Sequence, residues 1–158
     1  MQQPLRSRIH RSFGFSLLEL LVTVAVVSIL ATIAVTSYSS QVQKSRRTEA
    51  KSALLDLAGR EERLFSTTNA YSNVEAFLGY AAAGATTVMT NMPFGNGYYT
   101  LTATVPDPAQ AAGVPSYILT ANPVGPQAAD TVCGSFSVNQ LGVQTVSGTS
   151  TAAICWGD

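Results

Sequence analysis

The sequence predicts an α+β protein in which a long N-terminal helix packs on a small antiparallel sheet of three or four strands. Residues 20–35 are almost wholly apolar, and in residues 41–65 apolar side chains recur at spacings of three and four, the period of a helix. From residue 98 onward, short alternating segments are separated by prolines and glycines, which is typical of strands and turns. The helix is therefore predicted to be apolar all round in its first half and amphipathic in its second.

The apolar segment 15–38 is long enough to cross a bilayer, since about 20 residues span the hydrocarbon core. A secretory signal peptide is disfavoured, because its apolar core of about 7–15 residues precedes a small-x-small cleavage site, which Ala34-Val35-Thr36 matches poorly. An ordinary single-pass anchor is a second alternative. Glu19 counts against it, because a charged residue in a membrane helix costs roughly 2.5–3.5 kcal/mol on insertion scales and normally has a partner.

The second half of the helix is predicted to bury one apolar face against the sheet. That face contains Ala50, Ala53, Leu54, Leu57, Ala58, Leu64 and Phe65. The opposite, polar face is predicted to carry Lys44, Arg46, Arg47, Arg60 and Glu61. We interpret the basic cluster from Lys44 to Lys51 as a solvated helix face.

Four segments are candidate strands: 98–105, 117–121, 135–138 and, after a turn, 143–146. Gly95-Asn96-Gly97 is reminiscent of a phosphate-binding loop, but no predicted strand precedes it and no predicted helix follows it. We interpret it as a turn.

Composition disfavours catalysis. His10 is the only histidine, so no base is predicted for Ser-His-Asp or Cys-His chemistry in the rest of the chain. Two cysteines without a nearby histidine do not make a conventional zinc site. All basic residues lie at or before Arg63, which disfavours direct nucleic-acid binding by the C-terminal half. We expect no enzyme activity and no cofactor.

Residues Gly14-Phe15-Ser16-Leu17-Leu18-Glu19 follow a short basic leader and precede the apolar helix. This arrangement resembles the class III signal of type IV prepilins and related pseudopilins. The resemblance implies that a prepilin peptidase cuts between Gly14 and Phe15 on the cytoplasmic side and that Phe15 is N-methylated. Glu19 would then pair with the α-amino group of Phe15 in a neighbouring subunit and set the axial register of a filament.

The rest of the chain also resembles PilE-type pilins and minor pilins, in the segments 46–51, 53–58, 66–71 and 117–121 and in Cys133-Gly134 and Cys155-Trp156. The resemblance implies a leader peptide (1–14), a transmembrane and filament-core helix (15–40) and an extracytoplasmic α+β head (41–158). The chain departs from the family at Ser28 and Thr36, where pilins often carry a glycine and a proline. We therefore expect less local melting of this helix on assembly.

Cys133 and Cys155 are the only cysteines. In a chain with an export helix, one pair predicts a disulfide in an oxidising compartment, with two free buried cysteines as the alternative. A disulfide requires the head to lie outside the cytoplasm. The positive-inside rule is indecisive here, because basic residues flank both ends of the membrane segment.

The function most consistent with these features is that of a major or minor subunit of a type IV pilus, a fimbrium that serves adhesion, twitching motility or DNA uptake. The alternatives are a pseudopilin of a type II secretion system and a single-pass periplasmic binding protein that does not polymerise. Expected partners are other pilin subunits, the prepilin peptidase and an inner-membrane platform driven by a cytoplasmic ATPase. The expected location is the bacterial inner membrane and then the surface pilus.

Overall fold

The computed structural model describes residues 15–107 and 113–157. Within these ranges the chain forms a long helix, α1 (Leu17–Thr68), a five-stranded sheet, a 3-10 turn and a short second helix, α2 (Ala152–Gly157). The fold divides into two compact units between Ser39 and Ser40, and the second unit contains the latter half of α1 and the sheet. The predicted α+β class with a long N-terminal helix is confirmed.

Helix α1 continues without interruption for 52 residues. It contains no proline, and its one glycine is Gly59. Asn69 ends it, because its φ of 57° is left-handed and its N–H returns to the carbonyl oxygen of Phe65 at 2.8 Å. The backbone is helical through Ser28 and Thr36; the expectation that it stays so in a filament remains a prediction.

The sheet is an antiparallel meander whose strands lie in chain order: β1 (Met92–Phe94), β2 (Tyr99–Thr104), β3 (Ile118–Pro123), β4 (Phe136–Asn139) and β5 (Gln144–Val146). The four candidate strands are confirmed as β2 to β5. The predicted number of three or four was too low, because β1 was missed. Its central Pro93 does not suit a strand interior, but β1 is an outer strand, where proline is tolerated.

The Gly95-Asn96-Gly97 segment is a turn, as predicted, and joins β1 to β2 in a hairpin. Gly95 and Gly97 adopt φ values of 55° and 75°, which glycine reaches without a steric penalty. A strand does precede this turn, so that premise was wrong, but a second strand follows it and it is not a phosphate loop. The backbone N–H of Asn96 donates to Oε1 of Glu49 at 2.9 Å, which attaches the hairpin to α1.

The core lies between the latter half of α1 and one face of the sheet. From α1 it takes Ala50, Ala53, Leu54 and Leu57, and from β2, β3 and β4 it takes alternate residues, namely Tyr99, Leu101, Ala103, Leu119, Ala121, Phe136 and Val138. The predicted apolar helix face is therefore confirmed for these four residues. The predicted polar face was wrong for Arg47 and Glu61, which are 7% and 0% exposed, and Lys51 of the supposed solvated cluster is 7% exposed.

Two short elements were not predicted: the 3-10 turn (Gly125–Ala129) and α2. Both contain too few residues to show a helical period. Helix α2 lies beside β5, where the indole Nε1–H of Trp156 donates to the carbonyl oxygen of Thr145 at 3.2 Å. The Trp156 ring also meets the Phe136 ring edge to face, with centroids 5.6 Å apart.

Candidate functional site

The first half of α1 is long and apolar enough to cross a membrane. Its large apolar side chains from Phe15 to Ile33 are exposed by 51% to 83%. No described residue buries this surface, and a continuous apolar surface of this size requires an apolar environment. Lipid or the helices of other subunits would supply one.

Three hydroxyl side chains in this segment donate hydrogen bonds to backbone carbonyl oxygens of the same helix. The hydroxyls of Thr23, Ser28 and Thr32 donate to the carbonyl oxygens of Leu20, Val24 and Ile29 at 2.9, 2.7 and 2.7 Å, respectively. Hydroxyls bonded in this way do not need water. They are therefore compatible with a lipid or filament-core environment.

Glu19 lies in the first turn of α1 and is exposed. It is the sole charged residue of segment 15–43. Phe15 precedes the helix and is 80% exposed, whereas Gly14 lies outside the described residues. Phe15 and Glu19 are thus both accessible at the N-terminal end of the described chain.

Cys133 and Cys155 form a disulfide, which confirms the predicted pair. Both residues are fully buried and belong to the hydrophobic core. The alternative of two free cysteines is wrong. The bond closes a segment that contains β4, β5 and the first turn of α2.

Replacing both cysteines with serine is expected to lower the free energy of unfolding by about 3 kcal/mol, because the open chain gains the loop-closure entropy that the disulfide removes from the unfolded state. Urea unfolding of the full chain in a mild detergent measures this difference. Wild-type protein treated with a reductant should match the double variant. Equal midpoints for the oxidised and reduced chains would contradict the prediction.

Arg47 and Asp130 form a buried ion pair between α1 and the end of the 3-10 turn. The guanidinium Nε and Nη2 donate to Oδ2 and Oδ1 at 2.7 and 2.8 Å. The carboxylate also accepts the side-chain amide of Gln127 at 3.1 Å and the backbone N–H of Cys133 at 3.3 Å. Burial raises the pKa of Asp130, but its hydrogen bonds and the Arg47 charge outweigh burial and hold the pKa below its ordinary value.

Lys51 lies one helical turn after Arg47. Its Nζ donates to the carbonyl oxygens of Cys155 and Trp156, each at 3.3 Å. These carbonyls belong to the C-terminal end of α2, where a cation complements the partial negative charge of the helix end. The interpretation of Lys44 to Lys51 as a solvated face was therefore wrong for Arg47 and Lys51, because both are buried and bind the C-terminal part of the chain.

Glu61 is a buried carboxylate near the C-terminal end of α1. Its Oε2 accepts the backbone N–H of Ser72 at 3.1 Å, while Oε1 has no hydrogen-bond partner among the described residues. Burial raises the pKa of Glu61 to about 7, the Ser72 N–H lowers it in part, and the adjacent Glu62 charge adds to the rise. Glu62 itself accepts the hydroxyls of Tyr71 and Tyr117 at 3.1 and 3.3 Å.

A second set of contacts attaches the loop after α1. Arg60 pairs with Asp56 at 2.8 Å, donates to the carbonyl oxygen of Leu78 at 2.9 Å and lies over the ring of Tyr80. The Tyr80 hydroxyl donates to Asp56 at 3.1 Å. Helix α1 is therefore the framework on which this loop, the β1–β2 hairpin and the disulfide-closed segment are held.

Within residues 15–107 and 113–157, no group of three or more His, Cys, Asp or Glu side chains is placed to hold a metal ion. The clefts at the surface are open grooves. One is lined by the last turns of α1 with Phe77, and another by Asn122, Asp130, Ser135 and Ser147. In the second groove the Asp130 carboxylate is already bound by Arg47. The exposed apolar half of α1 is the feature of the described residues with the clearest functional potential.

Two family models match the chain. One, described as a prokaryotic N-terminal methylation motif, matches residues 9–35. The other, described as type IV minor pilin ComP, DNA uptake sequence receptor, matches residues 36–137, which is more than half of the chain. The chain belongs to the type IV pilin family. The two matches together include the apolar helix of the pilin and most of its head.

Individual relatives are similar over part of the pilin. It is 35% identical over 71 residues to the type IV major pilin protein PilA of Myxococcus xanthus (strain DK1622), an alignment that covers 45% of this chain and 32% of that protein. The pilin therefore matches about a third of the length of this curated relative. A solved structure of a type IV pilin from Shewanella oneidensis is 25% identical with a TM-score of 0.45, and the alignment covers 69% of this chain and 96% of that one.

The sequence predicted the Cys133–Cys155 pair, which the structure confirms. Cleavage before Phe15, methylation of Phe15 and the register role of Glu19 stay predictions. The sequence-based interpretation missed the roles of Arg47, Lys51 and Glu61. A signal was present for two of them, because Arg47 lies three residues before Ala50 and Glu61 lies four after Leu57, in phase with the apolar face. Their charge, rather than their position, led to the wrong assignment.

Proposed function

We propose that this pilin is a structural subunit of a type IV pilus that is assembled through the N-terminal half of α1. The observation that carries the proposal is the exposed apolar segment from Phe15 to Ile33, which contains Glu19 near its start and lies within the match to the N-terminal methylation motif. Before assembly this segment spans the inner membrane with the head in the periplasm. After assembly it lies in the filament core, and the pilus serves adhesion, twitching motility or DNA uptake.

Processing follows from the same segment. A prepilin peptidase removes residues 1–14, and the new N-terminus, Phe15, is methylated. An inner-membrane platform driven by a cytoplasmic ATPase supplies the energy of assembly. The proposed units are thus a leader (1–14), a membrane and core helix (15–40) and a head (41–158).

N-terminal mass spectrometry tests this proposal on protein from membranes and from sheared surface material. N-methylated Phe15 in the sheared fraction is the expected result. Methylated Phe15 confined to the membrane fraction would favour a pseudopilin of a type II secretion system. An intact Met1 in functional cells, or a cut after the apolar segment, would overturn the proposal in favour of an anchored or secreted binding protein. The amount of this chain relative to total sheared pilin distinguishes a major from a minor subunit.

Glu19→Ala is expected to lower incorporation into sheared filaments by about tenfold or more, because the α-amino group of Phe15 on a neighbouring subunit would lose its counter-charge in an apolar bundle. Thr23→Ala, one helical turn further on, is the matched control and should leave incorporation unchanged. Membrane insertion of the Glu19 variant should be retained, since removing a carboxylate favours insertion. Entry of Glu19→Ala subunits into filaments at the wild-type level would contradict the proposed role.

A second candidate function is DNA reception, favoured by the ComP family model at residues 36–137. The distribution of charge opposes it, because the chain has no lysine or arginine after Arg63 and both Arg47 and Lys51 are buried. Fluorescence anisotropy with purified pilin in detergent and genomic duplex fragments from the producing cell tests it. We expect no binding tighter than about 10⁻⁵ M at physiological salt, which is in the range of non-specific contacts. Sequence-dependent binding at lower concentrations would establish the receptor role.

A further inference from the structure

Helix α1 contacts both ends of the disulfide-closed segment through two cations one turn apart. Arg47 binds Asp130 through two hydrogen bonds, and Oδ1 of Asp130 accepts the backbone N–H of Cys133 at 3.3 Å. Lys51 donates to the carbonyl oxygen of Cys155 at 3.3 Å. Each cysteine is therefore linked to a buried cation of α1, and none of these contacts involves a sulfur atom.

We propose that Arg47 and Lys51 are positioning residues for the formation of the Cys133–Cys155 bond. The groups that these contacts use are the Asp130 carboxylate, the Cys133 N–H and the Cys155 carbonyl. Reduction of the disulfide does not change the chemistry of any of them. The two thiols are thus brought together on α1 before they are joined. The disulfide then closes a segment that is already docked.

Local pairing does only part of this positioning. The N–H groups of Gly148 and Ser150 donate to the carbonyl oxygens of Cys133 and Val132 at 3.0 and 2.9 Å, which brings the chain after β5 alongside Cys133. Cys155 lies further on, in α2, and the Lys51 contact is made to the C-terminal carbonyls of that helix. The Trp156 contacts with Thr145 and Phe136 hold α2 beside β5, and Lys51 adds the contact that joins the Cys155 backbone to α1.

The reaction is thiol–disulfide exchange with a disulfide-bearing oxidant, for which oxidised glutathione serves as the probe. One cysteine thiolate attacks a glutathione sulfur, and the first glutathione leaves as a thiolate. The second cysteine thiolate then attacks the protein sulfur of the mixed disulfide and releases the second glutathione. The cysteines lose two electrons to the oxidant, and their two protons end on the released thiols. The second step requires proximity, and the two Cα atoms are 5.8 Å apart in the fold, a distance suited to a disulfide.

The test measures the effective concentration of one cysteine at the other. Reduced full-length pilin in detergent is equilibrated with oxidised and reduced glutathione, and the closed fraction is read by thiol alkylation and mass spectrometry. Arg47→Gln and Lys51→Gln are expected to lower the effective concentration by about tenfold or more relative to wild type, because each loses a charged hydrogen bond. Lys51→Arg, which keeps a cation, should recover most of the loss.

Arg60→Gln is the matched control, because Arg60 anchors the Leu78 loop from the same helix without contacting the disulfide-closed segment. It should stay within about twofold of wild type. In concentrated urea all variants should converge, since the folded template is absent. The proposal is overturned if Lys51→Gln matches wild type under native conditions, if Arg60→Gln lowers closure equally, or if the differences persist in urea. Lys51→Gln decides the question if Arg47→Gln does not fold.

Discussion

Asp130→Asn is expected to lower the free energy of unfolding by about 3–5 kcal/mol, because it removes the carboxylate that the buried guanidinium of Arg47 binds in an ion pair. The asparagine retains a similar shape, so the loss reports the charge rather than a cavity. Urea unfolding followed by the fluorescence of Trp156, the only tryptophan, measures it. This reporter is suitable because its ring packs against the buried Phe136.

The stability that Asp130→Asn removes is expected to depend on pH in one direction. The folded-state pKa of Asp130 is below its ordinary value, so the ion pair stabilises the protein above the unfolded-state pKa. The difference between wild type and Asp130→Asn should therefore persist at neutral pH. It should shrink as the pH falls through the folded-state pKa, where the wild-type carboxylate takes up a proton.

Asp56→Asn is the matched control, because Asp56 pairs with Nε of Arg60 at 2.8 Å on the exposed side of α1, against 2.7 Å for the buried pair. An exposed pair is worth about 0–1 kcal/mol. The double variant Arg47→Met/Asp130→Leu should recover much of the lost stability, since it leaves no buried charge unpaired. A loss for Asp130→Asn as small as that for Asp56→Asn would contradict the assigned role of the buried pair.

Glu61→Gln is expected to stabilise the pilin by about 1–3 kcal/mol at pH 8. The pKa of Glu61 is raised to about 7 by burial, and in the unfolded chain the carboxyl group ionises near its ordinary value of 4.5. Between pH 4.5 and about pH 7 the folded state binds more protons than the unfolded state. The free energy of unfolding of the wild type therefore falls as the pH rises through this range. Glutamine carries no charge and retains an acceptor for the Ser72 N–H.

Urea midpoints at pH 5 and pH 8 separate this effect from a change in packing. The gain in the free energy of unfolding from Glu61→Gln should be small at pH 5, where the carboxyl group of the folded wild type is mostly protonated. The gain should be larger at pH 8. Glu62→Gln should weaken this pH dependence without abolishing it, because the Glu62 charge adds to the rise in the pKa of Glu61 that burial causes. A stability difference between Glu61→Gln and wild type that does not vary with pH would show that Glu61 ionises normally.

The sequence predicted the regular elements because their patterns are long. The apolar face from Ala50 to Leu57 and the alternation in β2 extend over enough residues to define a period. β1 and α2 contain only 3 and 6 residues, and they depend on the neighbouring β2 and β5 rather than on local preference.

Buried charged residues were the second feature that the sequence patterns did not predict. Arg47 and Glu61 share the phase of the apolar face, but a pattern of apolar residues assigns every charge to solvent. The partner of Arg47 is Asp130, 83 residues away in sequence, so nothing local indicates that the charge is satisfied. The assignments of Phe15 and Glu19 depend on a compact motif rather than on distant contacts, and they stay predictions.

The outer strands of the sheet have a consequence for the polymer. β1 and β5 are each 3 residues long, β1 carries Pro93, and α2 lies beside β5. Short edges of this kind are poor templates for strand addition by another chain, even when many heads are crowded along one fibre. Assemblies joined by continuous cross-β sheets are exceptionally hard to dissolve. Blunt sheet edges therefore disfavour the joining of neighbouring heads into one continuous cross-β sheet.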